Sequence, residues 1–309
     1  MNRSVLLVLI AAVVVAVTVV SFIMSGSGAE KSESSSRLDK AGLLYRRGEN
    51  FIKSGELDEA VNAFIMTIKH YPGSVYTEKA LRKLAAVYRE KEDNVKVVYY
   101  YKRLLQEFPH IKDADEITSR LQKLNMDIMM SPAITEDSVE YEVQPGDSLY
   151  VIANKFNTTV PLIKKINRLN TDTIRVGQRL KISVSKFSVF VDKSDNTLVL
   201  SKDGAPLKTY TISTGKDNCT PVGKFTIVEK SVKPPWYRPD GKLIMPDSPE
   251  YELGERWMAL SVSGYGIHGT NDEKTIGGQV TMGCVRMRNK DVIELFEVIP
   301  VGTEVEIVD

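Results

Sequence analysis

The chain has 309 residues, room for two or three domains of ~100 to 200 residues each, so one compact core is not the expectation. Charged residues at 26% and hydrophobic ones at 42% mark it as globular, and 41 Lys+Arg against 40 Asp+Glu leave a net charge of +1, which gives no electrostatic drive toward nucleic acid. Two cysteines and three histidines exclude a multi-disulfide scaffold and a four-ligand zinc site on conventional spacing, so no metal is expected.

Residues 1–24 read as a transmembrane signal anchor. Val5 to Met24 carry no charge, and as a helix rising 1.5 Å per residue such a run spans ~30 Å, the thickness of a bilayer core. A cleaved signal has a shorter apolar region, although Ser27-Gly28-Ala29 offers a small-residue cleavage site as the alternative. Arg3 keeps the amino terminus inside, which puts everything after Met24 outside the cytoplasm. Residues 25–37, rich in Ser and Gly, read as a flexible linker.

Residues 38–125 change to helical periodicity. Ala41, Leu44, Tyr45, Phe51 and Ile52 form one apolar stripe, Ala60, Ala63, Phe64 and Ile68 the next, with a turn around Gly55 between them. The unit recurs at an offset of 37: Leu44 matches Leu81, Phe51 matches Tyr88, Phe64 matches Tyr101, and Tyr71-Pro72 matches Phe108-Pro109. The segment resembles tetratricopeptide repeats, which implies either a surface for a protein partner or a stalk holding later domains away from the membrane. His70 and His110, beside the closing prolines, read as helix-end surface residues.

Residues 126–140 show no periodicity and read as a linker. From 141 to 183 the order is strand, two short helices, strand: Tyr141 and Val143, a Pro145-Gly146 turn, an N-cap at Asp147 or Ser148, then Leu149, Ile152, Ala153 and Phe156 on one face, Val160 to Ile166, and a closing strand after Val176-Gly177. YEVQPGDSLYVIA, the central Asn167 and IRVGQRLKI resemble a LysM domain, a small α+β (βααβ) fold. That resemblance implies binding to glycan strands containing N-acetylglucosamine.

Residues 187–309 read as mainly β, a small sandwich or barrel. Strands are expected at 188–191, 197–200, 209–212, 224–228, 257–262 and 304–308, with one helix at 289–298. His268 and Cys284 each stand beside a glycine, in Ile267-His268-Gly269-Thr270 and Thr281-Met282-Gly283-Cys284-Val285-Arg286. Glycine permits a tight turn that presents a thiol and lets amides approach an oxyanion, while an imidazole can take the thiol's proton; on spacing alone Cys284 equally fills a core. Gly264-x-Gly266-x-x-Gly269 fits a dinucleotide fingerprint literally, but turns rather than a helix follow it, so it is discarded.

His268-Gly269-Thr270 with Thr281-x-Gly-Cys-Val-Arg286, together with Ser213-Thr214-Gly215-Lys216, Thr220-Pro221-Val222-Gly223 and Leu253-Gly254-Glu255-Arg256-Trp257, resembles the L,D-transpeptidase catalytic domain. The resemblance implies Cys284 as nucleophile, His268 as base and then acid, and the Gly283 and Cys284 amides at the oxyanion. Arg286, Gly269, Thr281, Trp257, Tyr265 and Lys216 would bind substrate, and a backbone carbonyl would orient His268. Met282 stands where many members carry a histidine or another basic residue, and Cys219 reads as incidental, with redox pairing to Cys284 as the alternative. The implied activity is peptidoglycan cross-linking through a cysteine thioester without a cofactor, in a bacterial cytoplasmic membrane protein facing the periplasm or wall. L,D-carboxypeptidase activity and a silent wall-binding scaffold are the alternatives.

Overall fold

The computed structural model describes residues 29–309 except 133, 136 and 239. The expected anchor at Val5–Met24 lies outside the described residues, and no described helix is long and apolar enough to cross a membrane. The chain divides into two compact units between Leu121 and Gln122.

The first unit is helical: α1 (Ala29–Ser54), α2 (Leu57–His70), α3 (Val75–Glu90), α4 (Asn94–Glu107) and the start of α5 (Ala114–Met129). Gly55, at φ +81°, breaks the chain between α1 and α2, and Ser74 and Asp93 cap α3 and α4 by accepting from the amides of Thr77 and Lys96. The apolar stripes meet in a core of Ala41, Tyr45, Phe64, Leu81, Leu84 and Leu104. Gly48 matters there, because a Cβ at that position would lie 2.6 Å from the Phe64 ring. Helix α1 begins at Ala29, inside the segment read as a flexible linker. Once the packed part is helical, each added residue costs no new nucleation and gains a hydrogen bond.

The second unit opens with the βααβ module: β1 (Ser138–Glu142), α6 (Leu149–Lys155), α7 (Val160–Ile166) and β2 (Arg179–Ser183). Strands β1 and β2 pair antiparallel from Ser138↔Ser183 to Glu142↔Arg179. Ser148 caps α6, whereas Asp147 closes the preceding turn by accepting from the Gln144 amide at 2.7 Å and the Tyr141 hydroxyl at 2.8 Å. Asn167 joins α7 to β2 through the carbonyl and amide of Lys181, both at 2.8 Å. The segment 126–140 is shorter as a linker than its sequence suggests. Helix α5 runs on to Met129, because Met126 and Met129 bury themselves in the core of this unit, and β1 starts at Ser138.

The mainly-β part follows: β3 (Phe187–Asp192), β4 (Thr197–Lys202), β5 (Ala205–Thr211), β6 (Thr214–Gly215), β7 (Gly223–Val232), β8 (Trp236–Tyr237), β9 (Leu243–Ile244), β10 (Arg256–Leu260), β11 (Gly266–His268), β12 (Gln279–Thr281), β13 (Val285–Arg286), helix α8 (Asn289–Val298) and β14 (Glu304–Val308). Eight strands are linked in the order β13-β11-β10-β7-β14-β3-β4-β5 with β13 and β5 at the ends, so of the two expected forms, sandwich or barrel, the closed barrel is the one corrected. The long β7 joins the two halves of that order, pairing with β14 through residues 223–226 and with β10 through 227–232. Residues from both halves and from α8 share one core: Val189, Leu200, Ile227, Met258, Val285 and Leu295 among them. Leu162 and Ile166 of α7 belong to the same core, and the Thr159 hydroxyl bonds the Glu297 carbonyl, so the βααβ module is fused to the sheet.

Candidate active site

The last two strands at the β13 end carry the sequence's candidate residues. Strands β11 and β13 run parallel with Ile267↔Val285 and His268↔Arg286. Ile267 and Val285 are fully buried in the core, so the period-2 alternation of strands turns His268, Arg286 and the neighbouring Cys284 to the other face. Strand β10 lies on the far side of β11 and sets Trp257 opposite His268. The indole stacks on the imidazole, centroids 5.9 Å apart and planes at 28°. It also fills the space beside Gly266, where a Cβ would stand 2.6 Å from the ring.

His268 Nδ1 lies 2.7 Å from the carbonyl oxygen of Gly269. The carbonyl can only accept, so Nδ1 carries the proton and donates it in this bond, which leaves Nε2 as an acceptor that makes no hydrogen bond among the described residues. Burial first, then the Arg286 charge, push the His268 pKa down to about 4. Cys284 is half-buried, and its thiol donates to the Gly264 carbonyl at 3.8 Å and makes no hydrogen bond with the imidazole among the described residues. Burial raises its pKa to about 11 against the opposing pull of the Gly266 amide and Arg286. Near neutral pH the pair is thus an uncharged thiol and an uncharged imidazole, and proton transfer has to accompany sulfur attack.

The turn before Cys284 is held from within. Gly283 sits at φ +120°, and a Cβ there would meet the Tyr265 ring at 2.5 Å. Thr281 Oγ1 donates to the Cys284 carbonyl at 2.7 Å and accepts the Gly283 amide at 3.1 Å. Of the two amides the resemblance implies for the oxyanion, the Gly283 N–H is engaged by Thr281, while the Cys284 N–H has no acceptor among the described residues.

Comparison with known proteins covers the same segments. The family model described as the L,D-transpeptidase catalytic domain matches residues 186–307, a LysM model residues 141–183 and a tetratricopeptide model residues 43–74. The chain is 42% identical to the putative L,D-transpeptidase YqjB of Bacillus subtilis, over 39% of this chain and 70% of that protein. It is 35% identical to the putative L,D-transpeptidase YkuD of Bacillus licheniformis, over 54% of this chain and 97% of that protein. The chain belongs to the L,D-transpeptidase family.

Within this L,D-transpeptidase fold, Gly269, Thr281, Trp257 and Tyr265 all adjoin His268 or the Cys284 turn. Lys216 is exposed on the loop after β6. Arg286 is buried, with Nη2 on the Glu252 carboxylate at 2.7 Å. Met282 is exposed beside the nucleophile. Cys219 is free and exposed, and its carbonyl packs on Gly283, so it forms part of the wall of the site without being bonded to Cys284.

One positioning residue escaped the sequence reading. Asn289, the first residue of α8, accepts from the Glu255 amide at 3.0 Å and the Thr270 amide at 3.2 Å, and donates to the Thr270 carbonyl at 2.7 Å. It clamps the segment whose Gly269 carbonyl orients His268. Its only signal was an asparagine at a helix start, which reads locally as an ordinary cap. A hollow of about 570 Å³ lies on the LysM module against Thr171, Thr173, Arg175, Val176, Gly177 and Gln178.

Proposed function

We infer that this chain is a peptidoglycan L,D-transpeptidase that acts through a Cys284 thioester. The observation that carries the reading is the His268 tautomer: with Nδ1–H held by Gly269, Nε2 is the acceptor, on the strand adjoining the one that Cys284 leads into.

The sulfur swings from Gly264 and attacks the carbonyl of the diamino acid in a tetrapeptide stem, its proton passing to His268 Nε2 as the S–C bond forms. The oxyanion meets the Cys284 amide. Collapse breaks the peptide bond, and His268 returns the proton to the leaving D-alanine amine, leaving a neutral thioester. The amine of a second stem then attacks, giving its proton to His268. The new amide forms as the C–S bond breaks and the thiol takes the proton back. Trp257 and Asn289 keep the imidazole aligned throughout, so its turns as base and acid need no rearrangement.

The LysM module would hold the glycan strand, and the apolar run Val5–Met24 would tether the chain to the cytoplasmic membrane with its domains outside; the uncharged length of that run supports this part. The tetratricopeptide-like helices would meet a protein partner. Incubation with a disaccharide tetrapeptide and mass spectrometry of the protein tests the chemistry. An acyl adduct on Cys284, absent in Cys284→Ala and retained in Cys219→Ala, is expected; equal loss in both variants overturns the assignment. Carbonate extraction of the membrane fraction tests the tether.

A further inference from the structure

Arg286 is 8% exposed, yet the hydrogen bonding of its guanidinium is incomplete. Nη2 donates to Glu252 Oε2 at 2.7 Å and Nη1 to Thr275 Oγ1 at 3.3 Å, while the buried Nε has no partner. An arginine offers five N–H donors in a fixed fork, and its strong mode toward a carboxylate is a two-point one. Glu252 supplies a single bond, from a side chain that is 48% exposed and makes no other hydrogen bond among the described residues. Its neighbours Tyr251 and Leu253 are both 5% exposed and anchor the backbone on either side. Glu252 can therefore leave Arg286 by turning its own side chain, with no movement of the segment that carries it.

The geometry points to Glu252 as an internal stand-in for a substrate carboxylate on Arg286. Arg286, in β13, stands two residues beyond Cys284, which leads into that strand, and turns to the same face at a rise of ~3.3 Å per residue. In a stem peptide lying across Cys284, the terminal carboxylate of the leaving residue is one residue beyond the bond that breaks. That carboxylate reaches the guanidinium by displacing Glu252, and it can take the unpartnered Nε together with Nη2. Glu252 thus sets the affinity for the donor and discriminates between a peptide ending in a free carboxylate and one that is capped. The inference rests on the transpeptidase reading for the identity of that carboxylate, while its test does not require catalysis.

The test uses the full chain carrying Cys284→Ala, with and without Glu252→Gln, titrated with N-acetyl-D-alanine and with N-acetyl-D-alaninamide and followed by tryptophan fluorescence. Removing a half-exposed ion pair should tighten the acid roughly two- to fivefold and leave the amide unchanged. Unchanged or weaker binding of the acid in Glu252→Gln shows that Glu252 instead orients Arg286 and overturns the proposal. So does equal tightening of the amide, or no binding of the acid to either chain. With the nucleophile intact, Glu252→Gln should lower KM for a tetrapeptide donor by a similar factor. If the acid binds as expected but no thioester ever forms on Cys284, the transpeptidase reading fails and the carboxylate subsite stands.

Discussion

Trp257 and His268 face each other across the β10–β11 pair, the indole lying over the imidazole with 5.9 Å between centroids. The ring takes water away from the base, and burial is the largest cause of its low pKa of about 4. Activity needs the neutral imidazole, so the acid limb of kcat/KM is expected near pH 4. Trp257→Ala lets water in and should move that limb upward toward the ordinary histidine value of about 6.5. The same shift bears on stability. The folded pKa lies below the unfolded one, so the unfolded chain binds the proton first as pH falls. About 3 kcal/mol of stability, present above the unfolded pKa, should be lost between about pH 6.5 and 4. Urea titrations at several pH values measure it, with His268→Gln removing that pH dependence.

The thiol makes the opposite prediction. With its pKa raised to about 11, Cys284 is protonated in the free enzyme at neutral pH. In a Cys219→Ala chain, alkylation by iodoacetamide should keep accelerating past pH 10, where an ordinary thiol of pKa about 8.5 has levelled off. A plateau below that pH would mean a preformed thiolate–imidazolium pair.

Asn289 holds three backbone groups at once. Asn289→Ala should cost about 1 to 3 kcal/mol of stability by orphaning the Glu255 and Thr270 amides. It should also lower kcat more than it raises KM, since the loosened segment carries the carbonyl that orients His268. Asn289→Asp keeps the acceptor and loses the donor, so an intermediate loss is expected. Steady-state kinetics beside thermal unfolding separates the two effects.

Leu162 belongs to the LysM module by sequence and to the main core by contact. Leu162→Ala opens a cavity there and should destabilise by about 2 to 5 kcal/mol. Hydrogen exchange should show β3 and β4 loosening together with α6 and α7. Loosening confined to the module would mean that the two fold independently.

Much of this was legible from local pattern. Period-3.6 and period-2 stripes located α2, α3, β3, β4, β7 and α8, because burial of one face is written into neighbouring residues. The glycines beside His268 and Cys284 marked the site, because they answer to backbone demands at those very positions. The linker was misjudged at Met126 and Met129, whose reason to be helical is a core formed by residues far along the chain.

The sequence by itself determined the order of the domains, the longer strands β3, β4, β5, β7, β10 and β14 but not the short β11 and β13 that carry the site, and which sulfur and which imidazole are offered for chemistry. Only the tertiary structure decided their electrical state and their company. The neutral pair, the engaged Gly283 amide, the Asn289 clamp and the Glu252–Arg286 contact all depend on groups brought together by folding, the last across 34 residues of chain. The reason is physical. A pKa or a hydrogen bond is set by what surrounds an atom in space and by how much water remains there, and neither quantity is carried by the residues next to it in sequence.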